Sequence, residues 1–216
     1  MIVAFDTCGP VIGVAATDGR RTARRVGRIA RGAERLLVPW ALEVIAELGG
    51  ELRALRAVAA ADGPGAFTGV RVGLATAAGL GVALGVPLWT CDALQPRALA
   101  AGDGEVLVAL DARKSRIYAA VWRAGRQVWA PADVAPAVAL SQVSPGFVAT
   151  GEGALLHAAA VAERGGRVSA AADDPATERL ALCAWAGVEA GEGGDPTWVR
   201  PRYLRDADVH PPRAKE

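Results

Sequence analysis

The sequence predicts an α/β protein in which a three-layer arrangement is used twice. Three observations carry that prediction. Apolar runs of strand length alternate with longer apolar stretches of helix length. Each half opens on a hairpin-like pair of runs, residues 2–6 with 11–16 in the first and 106–111 with 117–122 in the second. A glycine-rich turn at residues 62–73 joins a buried apolar run to a long helical one.

The chain has 216 residues, enough for one large domain or two small lobes, and is 52% hydrophobic, which excludes disorder. A net charge of +1 excludes a global field that would draw it to nucleic acid. Cys8, Cys91 and Cys183 are far apart with no C-x-x-C and read as reduced thiols. No basic n-region with a hydrophobic core and cleavage site opens the chain, so the expected location is cytoplasmic.

Taken in order, strand, Asp6, Thr7, turn, strand is how actin-like and sugar-kinase ATPases open, with acid and hydroxyl facing a nucleotide's metal and phosphates. The plainer reading is that both residues cap a turn. A third strand is expected within residues 22–29. It carries a cluster of seven arginines between Arg20 and Arg35. Arg24 and Arg28 are the candidate RNA contacts, against the plainer reading of a charge-blunted edge strand.

Residues 35–48 form a helix stopped by Gly49-Gly50, with Pro39 in its first turns. Leu37, Trp40, Ala41, Val44 and Leu48 fall on one stripe and Val38, Leu42 and Ile45 on another. That is more apolar surface than a helix with one neighbour needs. The first stripe, with Trp40 as anchor, is the expected partner interface.

A strand at residues 55–61 then enters the turn Asp62, Gly63, Pro64, Gly65, Ala66, Phe67, Thr68, Gly69, Val70, Arg71. A glycine-rich turn feeding a helix is a generic anion cradle, but no lysine follows to make a Walker loop, and a plain tight strand-to-helix turn is the favoured reading. Thr68 is placed as N-cap of a helix over residues 70–84. Gly73, Ala77 and Gly81 recur every four residues there, a smooth face for close helix approach to a partner. The apolar run is marginal for a membrane span and is broken by Pro87, so burial against a sheet is expected.

Further expected elements are a strand at 86–90, a helix at 93–101 capped by Asp92, and a lobe boundary at residues 102–104. Beyond it come the second hairpin, a short strand at 127–129, helices at 136–143, 154–164 and 176–190, and a strand at 147–150. The polar, proline-containing tail is expected to fray.

These residues resemble the TsaB family, the non-catalytic paralogue in bacterial tRNA threonylcarbamoyladenosine biosynthesis. The matches are residues 2–7, the G-P-G-x-F-T-G-x-R-x-G run within residues 62–73, Leu110-Asp111-Ala112-Arg113 with Tyr118, and Pro201-Arg202-Tyr203-Leu204-Arg205. They occur in the family's order over nearly the whole chain, and the central run is the specific one. The resemblance implies an ASKHA-type fold of two RNase-H-like lobes, residues 1–102 and 103–216. It implies a scaffold for the catalytic paralogue TsaD, with the ATPase TsaE completing the set. That assembly transfers a threonylcarbamoyl group from its adenylate to the adenosine beside the tRNA anticodon. A homodimer through the same helices is the alternative pairing when the chain is alone, with indirect or weak tRNA contact and no membrane. The chain departs from the family at Ala33-Glu34, where His-Ser is common, at Ala66 for Ser, and at Arg116 for an acid.

The alternative is a stand-alone enzyme of this fold, an ATP-dependent kinase or a metallopeptidase. Against it, His157 and His210 lack paired ligands at metal spacing, and no serine sits in a G-x-S-x-G elbow. Cys8 has no histidine near it in sequence. No catalytic residue, metal or cofactor is therefore expected in the isolated chain, and Asp6 and Thr7 read as a vestigial phosphate site.

Overall fold

A computed structural model describes residues 1–205. The first sheet contains β1 (Ile2–Asp6), β2 (Val11–Thr17), β3 (Thr22–Arg28), β4 (Ala57–Ala61) and β5 (Leu88–Cys91), in the order β3-β2-β1-β4-β5. The second contains β6 (Glu105–Asp111), β7 (Ile117–Arg123), β8 (Arg126–Val134), β9 (Val148–Thr150) and β10 (Arg167–Val168), in the order β8-β7-β6-β9-β10. Both sheets have one plan. Three meandering antiparallel strands are followed by two parallel strands added on the far side of the first. The duplication leaves no repeat in the sequence because the plan needs only a hairpin and crossovers, not particular side chains.

Helices fill the crossovers. α1 (Leu37–Glu47) packs on β2 and β3, and α2 (Phe67–Leu84) on β4 and β1. α3 is Leu94–Ala101, α4 Pro136–Leu140, α5 Glu152–Leu156, α6 Ala158–Glu163 and α7 Thr177–Glu189. Asp92 Oδ1 accepts from the Leu94 and Gln95 amides and so caps the start of α3, as expected.

The last helix of each half crosses over. α3 packs on β6, β7 and β9 of the second sheet, while α7 returns to cover β1 and β2 of the first. A methyl on Gly13 would stand 2.1 Å from Thr177 Oγ1 of α7, whereas Gly27, paired with Ile12 on the opposite pleat, faces Trp40 of α1. The first sheet is thus covered on both faces, one by its own crossover helices α1 and α2 and one by the helix that ends the second half.

This exchange joins the halves through one core. Val106, Val108 and Leu110 of β6 belong to the same buried cluster as Ile2–Phe5, together with Leu94 and Ala98 of α3 and Leu180, Ala181 and Ala184 of α7. The alternate residues Leu107 and Ala109 face a smaller cluster with Phe147 and Val161.

Several expected boundaries move. β8 runs nine residues rather than three, because an exposed edge strand with Pro131 has no apolar alternation to mark it and is defined by its ladder with β7. The helix expected at 154–164 is two helices broken at His157. α2 begins at Phe67, so Thr68 lies inside its first turn and is not the N-cap. That position is Ala66, without a side-chain cap bond. His210 and the expected fraying of the extreme tail lie outside the described residues.

Candidate functional site

The β1–β2 turn, the start of α2 and the chain's last described residues converge. Asp6 is fully buried. Its Oδ2 is 2.6 Å from Nη1 of Arg97, itself 2% exposed, and its Oδ1 accepts from the Cys8 amide at 2.8 Å. Thr7 donates its hydroxyl to the Gly69 carbonyl at 2.6 Å. The acid and hydroxyl that could serve a nucleotide are both engaged inside the protein. Cys8 is buried, and burial pushes its thiol well above the ordinary range, which favours the protonated form.

The glycine-rich run is a mould for that turn. A methyl on Gly69 would stand 2.1 Å from the Thr7 carbonyl oxygen, one on Gly65 2.3 Å from that of Cys8, and one on Gly73 2.3 Å from Thr7 Oγ1. The Ala66 amide donates to the Cys8 carbonyl at 2.7 Å. These contacts favour the tight-turn reading over the anion cradle: the run's close approaches are spent on the chain's own backbone.

The tail straps the other side. The Asp62 carboxylate accepts from Nε and Nη2 of Arg202, at 3.1 and 3.3 Å, and its carbonyl accepts from the Arg202 amide. Burial still pushes the Asp62 carboxyl up against the pull of Arg202. Tyr203 stacks on Phe67 with ring centroids 5.3 Å apart, and the Arg71 guanidinium lies 3.5 Å from the Phe67 centroid. Arg205 reaches the second half, where it donates to Asp133 Oδ2 and the Ala112 carbonyl. Arg116 donates to the same carboxylate, so the cation standing where the family has an acid is explained locally. Although burial raises its pKa, the two arginines hold Asp133 below the ordinary carboxylate range.

Between the halves, in front of this assembly, opens a cleft of 1270 Å³ lined by Gly9, Phe67, Val72, Tyr118, Glu152 and Tyr203 among others.

A family model described as TsaD, tRNA N6-adenosine threonylcarbamoyltransferase, matches residues 28–151. An uncharacterized protein of Mycobacterium leprae is 36% identical over 74% of this chain, a match spanning 44% of that relative's own length. One of Mycobacterium tuberculosis is 33% identical over 97% of this chain and 94% of its own length. The Escherichia coli tRNA threonylcarbamoyladenosine biosynthesis protein TsaB is 30% identical over 54% of this chain and 52% of its own length. YeaZ from Pseudomonas aeruginosa superposes with a TM-score of 0.76 at 27% identity, covering 94% of this chain and 99% of that one. The chain belongs to the TsaB family. A hexokinase of the ROK type from Thermus thermophilus, at 16% identity and a TM-score of 0.52, shares the fold alone. The ASKHA-type architecture that the resemblance implied is the one observed.

In this TsaB-family chain the other sequence-picked residues separate. Arg24 and Arg28 form no strip. Alternation along β3 sends Arg25 to the α1 face, where it pairs with Glu43 and Glu47 at 2.8 Å each. Arg24 and Arg28 go to the opposite face and meet Asp174 at 2.7 Å and Asp173 at 2.9 Å. Their charge is matched by carboxylates of the second half, in keeping with the plainer reading of a charge-blunted edge strand.

The partner stripe also turns inward. Leu37, Ala41, Val44 and Leu48 are buried against the first sheet, and Trp40 is half-buried over Gly27. The wider stripe, extended by Ile45, is the one a sheet covers best. Gly73, Ala77 and Gly81 are likewise buried, Gly73 against Thr7 and Gly81 against Pro196. What these helices leave outside is a different set. On α1 it is Val38, Leu42 and Ala46, and on α2 Ala75, Gly79, Val82 and Ala83. Helical spacing shows that an apolar residue faces one of two sides but not which side the sheet takes.

Glu152, which opens α5, was missed. Its Oε1 is 3.4 Å from the Asp111 amide, and its carboxyl stands 3.5 Å from where a methyl on Gly9 would sit. The sequence Gly151-Glu152-Gly153 follows the strand expected at 147–150 and carries no local sign of this contact. Burial pushes the Glu152 carboxyl up despite Arg97. With a folded pKa above the unfolded one, protonation favours the native state. The contribution is full below the unfolded value and is lost as pH rises through the folded one. Glu152→Gln is expected to melt higher than the parent at pH 7, with the gain vanishing toward pH 4, in thermal scans at both values. Equal melting temperatures at pH 7 would remove the burial penalty assigned to it.

Proposed function

We propose that this chain is a non-catalytic supporting subunit in formation of threonylcarbamoyladenosine on tRNA, and that the outer face of α1 and α2 docks the catalytic homologue TsaD. One observation carries the docking part. α2 is apolar enough to cross a membrane, yet only 28% of its residues are buried. Beside it, Val38 and Leu42 are 38% and 47% exposed, and Val82 of α2 is 56% exposed. An apolar face of this kind on a sheet-packed helix pair marks a protein contact. The small residues Ala75, Gly79 and Ala83 allow another helix to approach closely.

The non-catalytic part is supported by the engagement of Asp6 with Arg97 and of Thr7 with Gly69, and by the burial of Cys8. Family membership supports the pathway, with TsaE as the further partner. A second copy of this chain competes for the same face.

The test is association with TsaD of the same genome, read by light scattering and titration calorimetry. Leu42→Glu and Gly79→Glu are expected to weaken association by about 2 kcal/mol or more, the hot-spot range, with melting not lowered in either, since Gly79→Glu also gains helix propensity. Trp40→Glu is expected to damage the fold instead, because its ring is seated over Gly27. Undiminished affinity of both outer-face variants would place the interface elsewhere.

A further inference from the structure

Behind the cleft lies a second crevice of 390 Å³, between α3, α7 and the ends of β9 and β10. Its floor is the 2%-exposed Arg97. That guanidinium donates through Nη1 alone, to Asp6 Oδ2 and the Ala93 carbonyl. Its Nε and Nη2 have no acceptor among the described residues. Thr150, 4% exposed, lies on the same pleat of the second sheet as the α3-facing residues of β6, and its hydroxyl has no partner among the described residues either. The Ser169 hydroxyl accepts from the Ala171 amide at 3.3 Å, which leaves its proton to donate.

The carboxylates on the crevice wall are already engaged. Asp174 is 2.7 Å and Glu178 3.6 Å from Arg24, and Glu178 also accepts from Thr22. Arg179 stands exposed at the rim. The crevice therefore presents donors with unfilled capacity beside two carboxylates whose charge Arg24 already answers. Thr150 ends β9 and Ser169 follows β10, two parallel strands, and the carboxyl ends of parallel strands are where α/β sheets place ligands.

We propose that this crevice binds a small oxyanion, inorganic phosphate or the phosphate of a small monoester, held by the free edge of the Arg97 guanidinium and the Thr150 and Ser169 hydroxyls. A buried cation whose remaining donors face a cavity is satisfied by an acceptor of opposite charge better than by any neutral group. Arg97 then has two roles on two edges, structural toward Asp6 and ligand-binding toward the crevice.

The test is titration of the full chain with inorganic phosphate and, separately, with glycerol phosphate, followed by backbone amide shifts. Saturable shifts confined to α3, residues 148–151 and residues 167–179 are expected. Tighter glycerol phosphate binding identifies a monoester as the ligand class, and equal binding identifies the free anion. Thr150→Val and Ser169→Ala, which leave the Asp6–Arg97 pair untouched, are each expected to weaken binding by about tenfold, the worth of one hydrogen bond to a charged group. No saturable shift with either ligand overturns the proposal. So does binding that both variants leave unchanged, which would mean an adventitious ion only.

Discussion

Arg97→Met is expected to cost the fold about 3–5 kcal/mol, the penalty for stranding one member of a buried ion pair. Asp6 has no route to water: it is fully buried, its Oδ1 is held by the Cys8 amide, and Oδ2 faces only Arg97. With a domain's whole stability at about 5–15 kcal/mol, the single variant is expected to lose a large share of it. The double variant Asp6→Asn/Arg97→Met removes the charge as well as its partner. It is expected to recover most of the loss, because two neutral groups of similar size do not carry the penalty of an unpaired ion. Urea unfolding of the parent, both single variants and the double gives the coupling directly. A loss below about 1 kcal/mol, the level of an exposed pair, would mean that solvent reaches Asp6. The same pair is the strongest argument against nucleotide chemistry here, since the acid that would serve a metal is neutralised from within.

The second large effect contrasts one substitution at two glycines of α2. Gly69→Ala is expected to destabilise by about 3 kcal/mol, the upper range for forced overpacking, and Gly79→Ala to stabilise by about 0.8–1 kcal/mol through helix propensity. The new methyl at position 69 would stand 2.1 Å from the Thr7 carbonyl oxygen, an atom tied into the β1–β2 turn. It would also break the bond from the Thr7 hydroxyl to the Gly69 carbonyl. At position 79 a methyl meets nothing within 4 Å. In a chain of this size 1 kcal/mol moves the melting temperature by about 2–4 °C, so the two variants are expected to melt on opposite sides of the parent. Equal shifts would show that the close approach is not what demands glycine in the run.

Much of the fold was legible. The hairpins at β1–β2 and β6–β7 were written in apolar runs broken by turns, and the strand–turn–helix at residues 57–84 in its glycines. The motif residues Asp62, Phe67 and Arg71 were recognised together with Arg202 and Tyr203, although nothing local joined them. In the structure they touch: Asp62 holds Arg202 and Phe67 stacks on Tyr203. β8 was short in prospect because an edge strand with polar residues and a proline carries no period-two signal of its own.

The site was legible as a set of residues but not as a set of roles. Arg24 and Arg28 counted as surplus charge until Asp173 and Asp174, about 150 positions away, were brought against them. Leu37, Ala41, Val44 and Leu48 looked available to a partner until the sheet took that side of α1. By itself the sequence determined what each segment could be, because periodicity, turn residues and propensity act over a few positions. Which face of each helix is buried, which carboxylate answers which arginine, and the exchange of α3 and α7 between the sheets were decided only in three dimensions. There the free energy comes from contacts between segments far apart in the chain, and no local pattern records the partner.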